Sequence, residues 1–393
     1  MSGAGRPRRR WLRGLAAGAA AVLVTTLALY GWAWASVDRS SIARAMWWRE
    51  ADVGDQHRFP ARPIRAGGDP SPLPAGGELR VPAPPADTLA FLVVHRDRLV
   101  HERYDHGAGR HTRQTSFSVA KSFLSTLVGI AIDEGRIGSV TDPVTDYLPE
   151  LAARDPRFRR VTLRDLLTMS SGIGYQERSL PLPWGDDIDT YYGTDLRDLG
   201  LRGSRIEGPP GQRWRYNNYH PLLLGMVLER ATGMPVSDYL AERLWRPLGA
   251  EADATWSLDS ERSGFEKLES GLNATPVDYA RFGQLLLHRG EWHGTRIVSE
   301  RWVAAATAAD TTTDPAGHYQ YFWWVDEERP GRFYALGNYG QYLYVAPDAQ
   351  AVVVRLGRDW GVDHQQWLAS LRDLADRLAR SPGPGAPHER MAG

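Results

Sequence analysis

The 393-residue chain contains no cysteine. Disulfides, thiolate metal sites, a cysteine nucleophile and an acylated N-terminal cysteine are therefore all excluded. The protein must be held together by its core alone, and an apolar fraction of 42% over this length is enough to build one. Neither sign of charge is in excess: 47 Lys and Arg balance 47 Asp and Glu. With no net field to draw a polyanion, no nucleic-acid partner is expected. Lysine itself is nearly missing. Of the 47 basic residues only Lys121 and Lys267 are lysines, and all the others are arginine. There is no H-E-x-x-H, and the eleven histidines, His95, His101 and His106 among them, do not fall at ligand spacing. No metal and no other cofactor is expected. The sequence also lacks a G-x-S-x-G elbow and a G-x-x-x-x-G-K-[ST] phosphate loop, which sets aside α/β-hydrolases and P-loop nucleotide enzymes.

Basic residues cluster only at the extreme N-terminus, in "RPRRRWLRG", followed from Gly14 to Trp34 by twenty-one residues without a charge. At about 1.5 Å per residue such a helix matches the hydrocarbon core of a bilayer. Arg8, Arg9, Arg10 and Arg13 predict a cytoplasmic N-terminal flank, which places the remainder on the extracytoplasmic face. "AWAS" at 33–36 has the small-x-small form of a signal-peptidase site, so secretion after cleavage near Ala35 is the alternative. The apolar stretch exceeds the usual length of a cleaved signal, and a retained single-pass anchor over residues 1–35 is the reading adopted.

Residues 36–87 combine a short amphipathic piece with a Pro/Gly-rich stretch of no period, and read as an extended connector. One large domain then occupies 88–380. "TLAFLVVHRDRLVHERY" (88–104) predicts a hairpin turning at Arg96 and Asp97. Residues 119–132 are apolar nearly all round and predict a buried helix ended by Glu134-Gly135. "VTLRDLLTMSSGIG" predicts a short helix and a glycine loop, and 175–213 a long loop walling a cleft. Two helices separated by "TGMP" follow, then one over "TPVDYARFGQLLLHRG" stopped by Gly290. "YQYFWWV", "RFYALG", "QYLYVAP" and "QAVVVRLG" read as strands, with a turn at Pro347–Gln350. Trp367, Leu371, Leu374 and Leu378 lie on one face of a final helix that should cover the sheet. Strands at both ends with helices between them predict an α+β fold, an antiparallel sheet flanked by helices with a helical insert. Residues 381–393 read as a disordered tail.

The chemistry starts in "TSFSVAKSFLSTLVGIAIDEG". Ser118 begins the helix and Lys121 lies one turn along the same face, within reach of the hydroxyl. A serine needs a base to become a nucleophile. A desolvated lysine can lose its proton, whereas a guanidinium cannot. An arginine-rich sequence that keeps a lysine here is thus accounted for by a need for deprotonation. The Ser118 N–H at the helix start also points to an oxyanion site. A bare S-x-x-K is also what an N-cap serine followed by a snorkelling lysine looks like. It gains meaning from two partners. In "RWRYNNYHPLLLG", Tyr216 can shuttle a proton and Asn218 can hold a carbonyl, unless the stretch is a polar turn capping the next helix. In "ALGNYGQYLYV", two glycines interrupt a strand, as a ligand's close approach or a bulge would require.

Together these residues resemble the penicillin-recognising serine hydrolases, specifically the branch with class C β-lactamases, esterases, D-amino-acid peptidases and linear 6-aminohexanoate-oligomer hydrolases. Ser118-Val-Ala-Lys121 matches S-x-x-K and Tyr216-Asn217-Asn218 matches Y-x-N, in order, within a likeness spanning roughly residues 88–379. The resemblance implies a β-lactamase-like fold, Ser118 as acylated nucleophile, Lys121 as its base, Tyr216 as acid/base partner, and the N–H groups of Ser118 and Gln341 as oxyanion hole. Asn218, Asn338, Gly340 and Gln341 are the implied substrate-binding positions. The third motif departs from the family's Lys-Thr-Gly or His-x-Gly: it is Asn338-Tyr339-Gly340, without a cation for a substrate carboxylate. A small-molecule ester or linear amide is therefore the expected substrate, ahead of a β-lactam or a D-Ala peptide. A catalytically silent binding protein of the cell envelope is the other class, and Asn338 is the feature that speaks for it. Trp184, Trp214, Trp323 and Trp324 are candidates to line the cleft, or to serve as packing. Oligomeric state has no signal in the sequence.

Overall fold

In the computed structural model the described residues are 6–68, 72–77, 79, 81, 84–85, 87–177, 182–311 and 316–381. The chain divides into two units, residues 1–51 with 176–194, and residues 52–175 with 195–393. The segment read as a tail lies, beyond residue 381, outside the described residues.

The first unit contains the helix Arg6–Ser36, whose stretch Gly14–Ser36 is long and apolar enough to cross a membrane or to serve as a signal sequence. A second helix, Ser41–Trp48, is capped by the Ser40 hydroxyl. It packs on the helix Asp186–Tyr192 through a buried arginine: the Arg44 guanidinium donates to the carbonyl oxygens of Tyr192 and Gly193. Ser41 Oγ donates to Asp189 (2.7 Å), and Trp48 meets Tyr192 edge to face. The long loop expected over 175–213 thus contains this helix and a second one, Leu196–Gly203, started by the Asp195 side chain. Both are too short to show a hydrophobic period.

Among its described residues the second unit has thirteen strands: β1 (Ala61–Ile64), β2 (Thr88–His95), β3 (Arg98–Tyr104), β4 (Gln114–Thr115), β5 (Ala254–Ser257), β6 (Leu272–Ala274), β7 (Glu291–Trp292), β8 (Thr295–Arg296), β9 (Tyr319–Gln320), β10 (Trp323–Val325), β11 (Phe333–Gly337), β12 (Gln341–Ala346) and β13 (Ala351–Gly357). Seven of them form one antiparallel sheet in the order β3-β2-β13-β12-β11-β10-β9, so strands from both ends of the domain meet at β2 and β13. The β2–β3 hairpin turns at Arg96 and Asp97, both left-handed (φ 51° and 62°), the geometry a two-residue connection needs to match strand twist.

β13 reads "AVVVRLG" and is buried on both faces. Alternation divides its side chains. Val352 and Val354 join the main core with Leu343, Phe282 and Leu286, and Val353 packs with Trp367, Leu371, Leu374 and Leu378 of the C-terminal helix His364–Arg380. On the first face lie the helices Pro276–Leu287 and Ala120–Asp133, the latter apolar all round because other elements surround it.

Three further elements differ from the sequence reading. A second antiparallel sheet, β1-β5-β6-β4, was not expected, and β1 lies within the stretch read as connector. "YQYFWWV" is a tight hairpin and not one strand: Tyr321 and Phe322 take positive φ (41° and 65°) between β9 and β10. Burial of both rings and a bond from Ser122 Oγ to the Phe322 carbonyl (2.7 Å) offset that strain. "ALGNYGQYLYV" is likewise no interrupted strand, since β11 ends at Gly337 and Asn338–Gly340 form the turn into β12.

Candidate active site

Ser118 sits in a single 3-10 turn, Phe117–Val119, that runs directly into the helix Ala120–Asp133. Phe117 enters it with φ 44°, a conformation costly for a bulky residue, and its ring is fixed edge to face on Tyr339 (5.4 Å between centroids). One helical turn later Lys121 reaches back, and its Nζ lies 3.0 Å from Ser118 Oγ. The lysine is 1% exposed. Its amine also donates to the backbone carbonyl of Glu269 (2.7 Å). Burial lowers the Lys121 pKa to about 7, with the Glu269 charge opposing the shift. An N-cap serine with a snorkelling lysine would show neither feature. Ser118 makes no side-chain cap here, and the ammonium is inside the protein.

Tyr216 is brought to the same place. Lys121 Nζ is 4.9 Å from the centre of its ring. Trp324 stacks on that ring (6.2 Å, 19°), with Tyr319 and Trp214 at its edges. Of the four tryptophans singled out, Trp214 and Trp324 therefore surround Tyr216, and Trp323 is fully buried against Phe282 and Phe333. Trp184 is exposed and belongs to the other unit.

The two asparagines after Tyr216 divide the work that the sequence left open. Asn217 is buried: its amide donates to the Ile173 carbonyl (3.0 Å), and its oxygen accepts from the Tyr219 N–H (2.8 Å) at the start of the helix Tyr219–Thr232. Asn217 is thus the residue of the polar turn, and it ties the Tyr216 segment to the "SSGIG" loop. Asn218 instead donates to the Tyr175 hydroxyl (2.9 Å).

The third segment meets the first through a glycine. A Cβ on Gly337 would collide with the Ser116 carbonyl and lie 3.1 Å from the Ser118 nitrogen, so the end of β11 abuts the Ser118 turn as only glycine permits. Asn338 is exposed, and its carbonyl accepts from the Gln341 side chain (2.9 Å). That buried side chain also bridges to the carbonyl (2.7 Å) and N–H (3.0 Å) of Gly357 on β13. Gly340 is left-handed (φ 71°).

Sequence reasoning missed three groups. Arg355, fully buried on β13, holds the third segment from below, with Nη1 donating to the carbonyls of Tyr339 (2.5 Å) and Gly340 (2.8 Å). Glu269 and Lys267 form a buried pair (2.7 Å) beside Lys121. The rarity of lysine marked Lys267 as clearly as Lys121, but it has no motif around it. His220, in the first turn of the helix Tyr219–Thr232, bridges Ser171 Oγ (2.6 Å) and Met169 Sδ (3.0 Å); burial first, and the Lys121 charge second, lower its pKa to about 3, which keeps the ring neutral. Among the described residues no group of three or more histidines and carboxylates could hold a metal ion.

A family model described as Beta-lactamase matches residues 84–375. The chain is 31% identical over 307 residues to the 6-aminohexanoate-dimer hydrolase of Paenarthrobacter ureafaciens, covering 71% of this chain and 75% of that protein. It is also 31% identical over 171 residues to the esterase EstB of Burkholderia gladioli, covering 40% and 43%. Among solved structures, a Bacillus anthracis protein provisionally named a 6-aminohexanoate-dimer hydrolase superposes with a TM-score of 0.75 at 25% identity, covering 86% of this chain and 95% of that one.

Proposed function

The chain belongs to the beta-lactamase family, and from that premise we propose that it is a membrane-anchored serine hydrolase that cleaves an ester or a linear amide through an acyl-enzyme on Ser118. The observation that carries this reading is the desolvated Lys121 amine at 3.0 Å from the Ser118 hydroxyl. With its pKa brought to about 7, the amine is a proton acceptor near neutrality without ceasing to be a competent donor.

In the proposed reaction Ser118 Oγ bonds to the substrate carbonyl carbon and its proton passes to Lys121 Nζ. The carbonyl π pair becomes an oxyanion held by the Ser118 and Gln341 N–H groups. Collapse breaks the bond to the leaving group, which takes a proton from Lys121 by way of the Tyr216 hydroxyl, and leaves the acyl-enzyme. Water then attacks the same carbonyl by the reverse set of transfers, releasing the acid. Asn218 and Gly340 are proposed to position the acyl side.

The substrate class follows from charge. Asn338 puts no cation at the turn, and the nearest guanidinium there, Arg355, is committed to backbone carbonyls. A substrate whose recognition depends on a free carboxylate is disfavoured, which leaves neutral esters and linear amides. The names of the relatives, an aminohexanoate-dimer hydrolase and an esterase, cover both bond types. The helix Gly14–Ser36 supports the membrane placement, with the hydrolase unit on the extracytoplasmic face.

Treatment of the full chain in detergent with a fluorophosphonate tests the reading by intact mass. One adduct on the parent, absent from Ser118→Ala and slowed at least a hundredfold in Lys121→Arg, is the expected result. A folded parent that takes no adduct would overturn it.

A further inference from the structure

Glu269 touches both lysines of the chain. Its backbone carbonyl accepts from Lys121 Nζ (2.7 Å), and its carboxylate accepts from Lys267 Nζ (2.7 Å). The Ser270 hydroxyl donates to the same carboxylate oxygen (2.7 Å), so one residue links Lys121 to the buried ion pair. Lys267 and Glu269 are 1% and 2% exposed. A fully buried ion pair is a poor source of stability, because desolvation of both charges consumes most of the attraction. It calls for another reason to exist.

The turn that carries the pair is rigid. Ser270 N–H and Gly271 N–H both donate to the Lys267 carbonyl (3.1 and 2.7 Å), which also accepts from the Trp256 indole (2.9 Å), and Lys267 Nζ rests over the Phe59 ring at 4.6 Å. The carboxylate is therefore held at a fixed place beside the Lys121 amine. The other titratable groups against that amine are Tyr216, whose ring centre is 4.9 Å away, and the neutral His220 on the helix Tyr219–Thr232. Glu269 is the one acidic side chain of the set, and acting alone it would hold a proton on Lys121.

We propose that Lys267 is a positioning residue for catalysis: it compensates the Glu269 carboxylate, so that Glu269 can fix the Lys121 amine without keeping it protonated. The inference rests on the reading of Lys121 as the base. It also gives the second lysine its reason. An ammonium is a compact point charge that fits against one carboxylate oxygen and a ring face, and a planar five-donor guanidinium is not interchangeable with it.

The test is the pH dependence of fluorophosphonate labelling of the full chain in detergent, with thermal melting as a check on folding, for the parent, Glu269→Gln, Lys267→Met and the double variant. Removing the carboxylate charge while Lys267 stays should lower the labelling midpoint by roughly one pH unit, so that labelling at pH 6 becomes several-fold faster. Removing Lys267 alone should raise the midpoint by a similar amount and slow labelling at pH 6 roughly tenfold. The double variant should return toward the parent. A purely structural pair would lower melting temperatures and leave the midpoints in place. An unchanged midpoint in folded Glu269→Gln overturns the proposal, even if Lys267→Met alone fails to fold. A parent that labels nowhere overturns the reading of Ser118 and this inference with it; a parent that labels normally with immobile midpoints overturns this inference alone.

Discussion

The guanidinium of Arg355 fills the space beneath Gly340, with Nη1 donating to that residue's carbonyl at 2.8 Å and to the neighbouring Tyr339 carbonyl at 2.5 Å. A Cβ on Gly340 would overlap the same nitrogen. Nη2 reaches the Asp359 carbonyl (2.8 Å), Nε reaches Thr88 (3.1 Å), and the plane lies over the Trp367 ring (4.5 Å). One side chain thus joins the turn after β11 to β2, to β13 and to the C-terminal helix.

Arg355→Met should cost about 3 kcal/mol of stability, since the carbonyls of Tyr339, Gly340 and Asp359 lose a donor while the cation's own desolvation cost is removed. Arg355→Lys should recover little of it, because an ammonium cannot span those carbonyls in one plane. Denaturant unfolding measures the first quantity. Because the turn follows Gly337, which abuts the Ser118 segment, fluorophosphonate labelling of the folded remainder should fall at least tenfold. A variant that loses stability but labels at the parental rate would confine Arg355 to the fold.

Lys121 predicts a definite pH profile. Below a pKa of about 7 the base is occupied, so labelling should fall tenfold per pH unit below 7 and level off above it. The stability linkage has its own sign. The folded-state pKa lies below the ordinary 10.5, so the unfolded chain binds more protons between those values, and this group makes stability rise with pH from about 7 to 10.5. Lys121→Met should remove that slope and abolish labelling. Urea midpoints at pH 7 and pH 9 for parent and variant compare the two slopes directly.

The two asparagines beside Tyr216 should separate stability from activity. Asn217→Ala leaves the Ile173 carbonyl and the Tyr219 N–H without their buried partner and should cost roughly 2 kcal/mol. Asn218→Ala, which removes the bond to the Tyr175 hydroxyl, should cost less stability than Asn217→Ala, by roughly 1 kcal/mol. It should still lower kcat/KM for ester hydrolysis tenfold or more. The reverse pattern would assign the carbonyl-holding role to the wrong member of the motif.

What the sequence disclosed and what it hid follow from how local each signal is. The Arg96-Asp97 hairpin, the Trp367–Leu378 stripe and the Ser118/Lys121 spacing are written within a few residues of each other, and the structure has all three. β1, β4, β5 and β6 are two to four residues long and find partners far away in the chain, as Ala61–Ile64 do in Ala254–Ser257; so few residues cannot show a period of two. The β9–β10 turn was hidden differently. Two buried aromatics hold positive φ there, with no glycine or asparagine to signal it. Glu269 and Arg355 act on the site through a carbonyl and beneath a turn, relations that exist only after folding.

The charge argument at Asn338 makes a prediction about what the site accepts. Asn338 is exposed and only its backbone carbonyl is engaged in a described bond, so Asn338→Lys adds an ammonium without breaking a contact and should change stability by less than about 0.5 kcal/mol. In a partly desolvated cleft, a new ammonium within reach of a substrate carboxylate contributes a charge-assisted bond of roughly 1.5–3 kcal/mol, about tenfold to a hundredfold in kcat/KM. Substrates ending in a free carboxylate should gain by that factor, and matched neutral esters should change little. Competition between a linear amide acid and its methyl ester, measured on parent and variant, reads the ratio directly. Equal gains on both would mean that the new cation acts on Tyr216 and not on the substrate, which a shift in the alkaline limb of the pH profile would register. No gain on either would mean that position 338 does not face the acyl or leaving group at all, and the preference for uncharged substrates would then have to rest on the aromatic surround of Tyr216.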